Sequence, residues 1–185
     1  MKNKFMKIYC YYSCCAALVF IVGCAQTHVS SYSFTGGGSQ HLTAEQSEEA
    51  ESIIKILEKI HEGIISNDLS ILTNYVNSEK GIYIDLKAHK SFVEMSNQIK
   101  DENSYLNIFF LNTQKLKEIT KDSNQISIKD ILSGQKHIRI ELYFNEKNDE
   151  CEAKIILQKK KDLDYRLNNP YFIKINKKWY IYRLM

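Results

Sequence analysis

Chemistry in this chain of 185 residues could come from three groups of side chains. The first is Cys24, a thiol that follows Ile21-Val22-Gly23 at the end of an apolar run. Sulfur reacts as the thiolate, and the small Gly23 leaves the bond before it open to a peptidase. The second group is Tyr83, Asp85, His89, His137 and Tyr143, which could move a proton if the fold gathered them. A carboxylate in an apolar cleft has a raised pKa and can then serve as base or acid. The third is the aromatic close, Tyr171, Phe172, Trp179, Tyr180 and Tyr182, with Lys174, Lys177, Lys178 and Arg183 beside it. Tyr and Trp are enriched in recognition surfaces. Lys174, Lys178, Tyr180 and Tyr182 are therefore candidate ligand contacts.

The familiar reaction signatures are missing. The chain contains no H-E-x-x-H, G-x-S-x-G, Walker loop, G-x-G-x-x-G or paired C-x-x-C. No catalytic residue, cofactor or metal is expected.

The elements around Cys24 explain its position. Met1 to Lys7 carries three lysines and no acid, the positive start of an export signal. Ile8 to Val22 is apolar but interrupted, and shorter than the roughly 18 residues a membrane-spanning helix needs. Ile21-Val22-Gly23-Cys24 resembles the lipobox of bacterial lipoproteins, cleaved by signal peptidase II. The resemblance implies cleavage between Gly23 and Cys24 and a diacylglyceryl thioether on the Cys24 sulfur. It implies further acylation (palmitate or a similar chain), since one chain binds a bilayer only marginally. Ala25 stands where an aspartate often marks retention at the inner membrane, so the outer membrane is favoured. The expected organisation is 1–23 signal peptide, 24–42 lipidated Cys and flexible tether, and 43–185 a single α+β domain.

Charge narrows the partners. The chain has 25 Lys and Arg against 22 Asp and Glu. Three of those lysines lie in residues 1–23, which leaves 22 against 22 in the mature chain. A nucleic-acid binder would show a basic excess, so none is expected as a partner. The balance is uneven along the chain: residues 24–103 hold 12 acids and 6 bases, residues 104–185 hold 10 and 16. Of the five cysteines, three fall within 1–23 and one is Cys24. Cys151 would remain alone, so the domain must hold together through its core.

Thr43 with Gln46 and Ser91 with Glu94 have the form of capping boxes, each opening a helix. Ile53, Leu57, Ile60 and Ile64 give the first helix an apolar stripe that ends near Ser66-Asn67. Asp68 can cap a shorter second helix. Ile82 to Leu86 reads as a strand, Tyr105 to Leu111 also as a strand, and Gln114 to Thr120 as a helical turn or two. His137 to Phe144 and Cys151 to Leu157 alternate apolar and polar, which predicts half-buried antiparallel strands and a buried Cys151. Tyr171 to Ile175 and Trp179 to Leu184 follow as two more strands. Helices before a terminal meander predict an α+β fold, with N-terminal helices packed on a curved antiparallel sheet.

Two stretches, Ile60 to Leu72 (IHEGIISNDLSIL) and Asn176 to Leu184 (NKKWYIYRL), resemble the nuclear-transport-factor-two, SnoaL-like or ketosteroid-isomerase-like superfamily. That resemblance implies a cone-shaped roll with a cleft between helices and sheet. No position matches that superfamily's catalytic motif, so no role is carried over. The expectation is a lipid-anchored envelope protein that binds an envelope or host protein or a glycan. The alternative is a small-molecule binder, or an isomerase- or dehydratase-like enzyme using the cleft.

Overall fold

The computed structural model describes residues 31–39, 41–159, 163 and 166–185. The expected signal peptide over residues 1–23 and the expected lipidation site, Cys24, lie outside the described residues. Alternation builds the centre of the sheet. Strands β4 (His137–Phe144) and β5 (Glu150–Leu157) pair antiparallel, with Ile140 opposite Ile155 and Leu142 opposite Ala153 on the buried face. Strands β6 (Tyr171–Ile175) and β7 (Lys178–Arg183) continue the meander. Asn176 and Lys177, both at positive φ, connect them in the two-residue turn that matches strand twist.

The sheet is mixed rather than purely antiparallel, because parallel strands extend both ends of the meander. Strand β1 (Ser31–Gly36) runs parallel to β4, with Ser31 opposite His137. At the other side β2 (Ile82–Tyr83) runs parallel to β7 and pairs with β3 (His89–Lys90). The order is β1-β4-β5-β6-β7-β2-β3.

β1 corrects the expectation of a flexible tether through residue 42. Tyr32 and Phe34 pack against the core, while Ser31 and Ser33 face outward to His137. The segment thus has the period of a half-buried strand. It is tied down further by a hydrogen bond between the Tyr32 phenol and His61 Nδ1.

The helices begin where their caps predict. Helix α1 (Ala44–Ser66) carries the Thr43/Gln46 box, and α2 (Phe92–Lys100) the Ser91/Glu94 box. Asp68 caps a 3-10 turn over Leu69–Asn74. The expected strand at Ile82 to Leu86 stops after two residues, because the Asp85 carboxylate accepts from the Lys87 and Ala88 amides at 2.7 Å each and bends the chain. Tyr105–Leu111 is a helix, α3, not a strand. Ser104 caps it, and the buried Asn107 amide donates to the carbonyls of Gln98, Ile99 and Asp101 at 2.8–3.0 Å. One side chain thereby gathers three carbonyls at the end of α2, joining the Asp101 amide and the Ser104 hydroxyl that also donate to Gln98. Helices α4 (Thr113–Thr120) and α5 (Ile128–Leu132) complete the layer.

The core is continuous, running from Ile53, Ile60 and Leu72 through Phe110 to Phe172 and Ile181. Cys151 is 1% exposed, and burial pushes its thiol up to about 12, so it stays protonated and inert at neutral pH. The β6–β7 turn lies beside the β4–β5 turn, where the Lys174 amide donates to the Asp149 carbonyl at 2.7 Å. Ser31, paired with the first residue of β4, lies at the opposite end of the sheet.

Candidate functional site

The aromatic close divides into two sites because its strands have two faces. In the β6–β7 ladder Lys174 opposes Trp179 and Phe172 opposes Ile181, all on the helix-facing side. Ile173 opposes Tyr180 on the other side. The four expected contacts therefore do not form one patch: Lys174 belongs with the helices, Tyr180 and Tyr182 with the outer face. Lys178, at the turn, holds its ammonium 4.9 Å from the centre of the Tyr180 ring.

On the helix side, Glu49 of α1 accepts from both the Lys174 ammonium and the Trp179 indole N–H. Desolvation pushes the Glu49 carboxyl up, but these two bonds and the lysine charge outweigh it and hold the carboxyl below its ordinary 4.5. A depressed folded-state pKa stabilises the fold fully above the ordinary value and loses that contribution as pH falls through the folded value. Acidification from about pH 6 to about pH 3 is therefore expected to lower the melting temperature in part through Glu49. Lys174→Met should flatten that part of the acid limb. Thermal melts across the range check this; an unchanged slope in the variant would refute it. Next to this bridge is an open groove of about 600 Å³, whose lining includes Lys55 and Lys59 of α1, Tyr75, and Lys177, Lys178 and Trp179.

On the outer face, the register slips between Tyr171 and Phe172, so that Tyr182 is the extra residue of a bulge. Bulges re-aim side chains. Strand parity alone would send Arg183 to the core side with Trp179; instead its guanidinium lies 5.4 Å from the Tyr171 ring centre and bonds Glu152 at 3.1 Å. Tyr83 meets Tyr182 edge-on at 5.4 Å and His89 at 4.8 Å. With Leu86 these residues enclose a shallow cleft of about 320 Å³, lined by Tyr83, Leu86, Tyr171, Tyr182 and Arg183. Burial and the Glu150 carboxylate push the Tyr171 phenol up to about 12, and burial raises that of Tyr182. Both stay protonated, as hydrogen-bond donors rather than bases.

The candidate proton-transfer residues do not converge. Tyr83 and His89 are in the outer cluster, and Asp85 is used in its turn, with the Tyr105 hydroxyl at 3.4 Å. His137 stands between two serines of β1, Ser31 Oγ at 2.8 Å from Nδ1 and Ser33 Oγ at 3.0 Å from Nε2. Tyr143 is exposed, donating to Glu141 at 3.0 Å and packing on Gly37, where a Cβ would fall 2.2 Å from its ring.

Sequence reasoning missed Glu49, Arg183's re-aiming and the α1 wall of the groove. The first and last depend on contacts more than a hundred residues apart; nothing local signals them. Among the described residues, no group of three or more His, Cys, Asp or Glu is placed to hold a metal ion. Nor is any helix among them long and apolar enough to cross a membrane. No protein-family model, curated protein or solved structure matches this chain.

Proposed function

We propose that this chain is a lipid-anchored protein of the bacterial envelope, cleaved before Cys24, whose α+β domain is a non-enzymatic recognition module. The outer membrane is the favoured address. The reading is supported by the lysine-led apolar segment ending in Ile21-Val22-Gly23-Cys24 and by the balanced charge of residues 24–185. The observation that carries the recognition role is the outer cleft. Tyr83, Tyr171 and Tyr182 gather around Arg183 on the face away from the helices, outside a core that is already filled. An enzyme of the cone-shaped roll would need room between helices and sheet. Here Phe172, Ile53, Ile60 and Leu72 stand there with no measurable exposure. The roll itself is retained as the finer architecture, on the order of long first helix, β2–β3 hairpin and closing meander.

The outer cleft suits a partner that offers apolar or planar groups to tyrosines and an acceptor to their hydroxyls. An envelope protein, a host protein or a glycan meets that description. A photoreactive residue in place of Tyr180 in the full chain, expressed in its own cells, is expected to give one discrete adduct. Tyr83→Ser combined with Tyr182→Ser should remove the adduct while the melting curve stays cooperative. The same adduct at the same yield from that variant would overturn the proposal.

A further inference from the structure

We propose that the groove between α1 and the β6–β7 turn binds an acidic peptide segment of a partner protein. Its walls are basic: Lys55 and Lys59 lie one helical turn apart on α1, and Lys177 lines the groove from the turn, while the Lys178 ammonium lies over Tyr180 on the other face. Its floor is apolar, made by Ile56, Tyr75 and the edge of Trp179. The carboxylate that could oppose an anion there, Glu49, is already bound to Lys174 and Trp179. Among the described residues neither Lys55 nor Lys177 forms an ion pair. Lys59 pairs with Glu62 at 2.7 Å, but both are exposed, and such a pair is worth little enough to exchange for a ligand carboxylate. Glu48 is the one acid on the rim that the bridge leaves unused.

Three other anions fit less well. A sugar chain would need an exposed aromatic plate. Trp179 is 4% exposed, with the Lys174 ammonium 5.7 Å from its ring centre and Phe144 edge-on at 6.1 Å, so it receives a side chain rather than stacking a ring. A nucleic acid is disfavoured by the even count of acids and bases in residues 24–185. A lipid headgroup is disfavoured by geometry, a step that rests on the anchor at Cys24. Seven residues from Cys24 to Ser31 reach at most about 25 Å, and β1 then carries the chain along the sheet to the groove's end. The groove therefore lies at the end of the sheet opposite Ser31, where the chain comes in from the anchor. An apolar lining between lysines fits a chain that alternates carboxylates with apolar side chains.

Trp179 is the sole tryptophan of the chain, so its emission reports the groove directly. The full chain in detergent is titrated with a short peptide alternating glutamate and leucine, with its lysine counterpart, with a uronic-acid oligosaccharide and with phosphatidylglycerol vesicles. The acidic peptide alone is expected to shift the emission saturably, with affinity that falls as salt rises. Lys55→Glu with Lys177→Glu should weaken it at least about tenfold, a change of about 1.4 kcal/mol. No response to the acidic peptide, equal affinity in the double variant, or tighter binding of the oligosaccharide or vesicles would each overturn the proposal. Repeating the titration on Cys24→Ala protein separates this outcome from that of the anchor, since the groove should bind equally with or without lipid.

Discussion

Replacing Cys24 with alanine is expected to abolish incorporation of a labelled fatty acid and to leave residues 1–23 attached to the protein. The expected change is all-or-none, because a thioether needs sulfur and no other residue near the site offers it. Cys15, the nearest other thiol, stands nine residues before position 24 and outside the Ile21-Val22-Gly23-Cys24 pattern, and Cys151 is buried with a thiol held protonated. Each buried methylene of an acyl chain contributes about 0.8 kcal/mol to membrane attachment, so losing two or three chains removes the anchor entirely. Labelling in growing cells followed by gel mobility reads both effects at once. Persistent label in the variant would place the lipid elsewhere. Normal processing of the variant would mean an ordinary export signal.

The largest expected loss of stability follows Phe172→Ala. Phe172 is fully buried at the middle of the sheet, between Cys151 of β5 and Ile181 of β7. Removing a buried phenyl group costs about 3–5 kcal/mol, because the transfer term is joined by that of the cavity left behind. A fall in melting temperature on the order of 10 °C should follow for a domain of this size. Ile173→Ala, one residue away on the outer face, should cost a small fraction of that. Similar losses from the two substitutions would mean that the sheet's two faces are assigned wrongly.

Most of the helical layer was legible because its signals are local. A capping box spans four residues, and both boxes open helices where they stand, at Thr43 and Ser91. The alternation of Ile138, Ile140 and Leu142 with Arg139 and Glu141 likewise announces its own faces. Tyr105–Leu111 was not legible, since seven apolar residues in a row carry no period. What decides for helix is the Ser104 cap and the grip of Asn107 on the end of α2. β1 was missed for another reason. Its alternation of Ser31, Ser33 and Thr35 with Tyr32 and Phe34 is present, but it runs into three glycines and pairs with a strand more than a hundred residues on.

The site was half legible. That Trp179 and Tyr180 point to opposite faces follows from strand periodicity alone. Which side Lys174 joins depends on the register across the Asn176-Lys177 turn, and Arg183's placement depends on a bulge that no residue type announces. The two lysine walls of the groove meet only because α1 packs against the end of the meander, a purely tertiary event.

Mass spectrometry of the N-terminal peptide from protein purified out of its native membrane tests the anchor most directly. The account predicts a peptide that begins at Cys24 and carries the mass of a diacylglyceryl group on its sulfur. A peptide that begins at Met1, or an unmodified thiol at position 24, would contradict it.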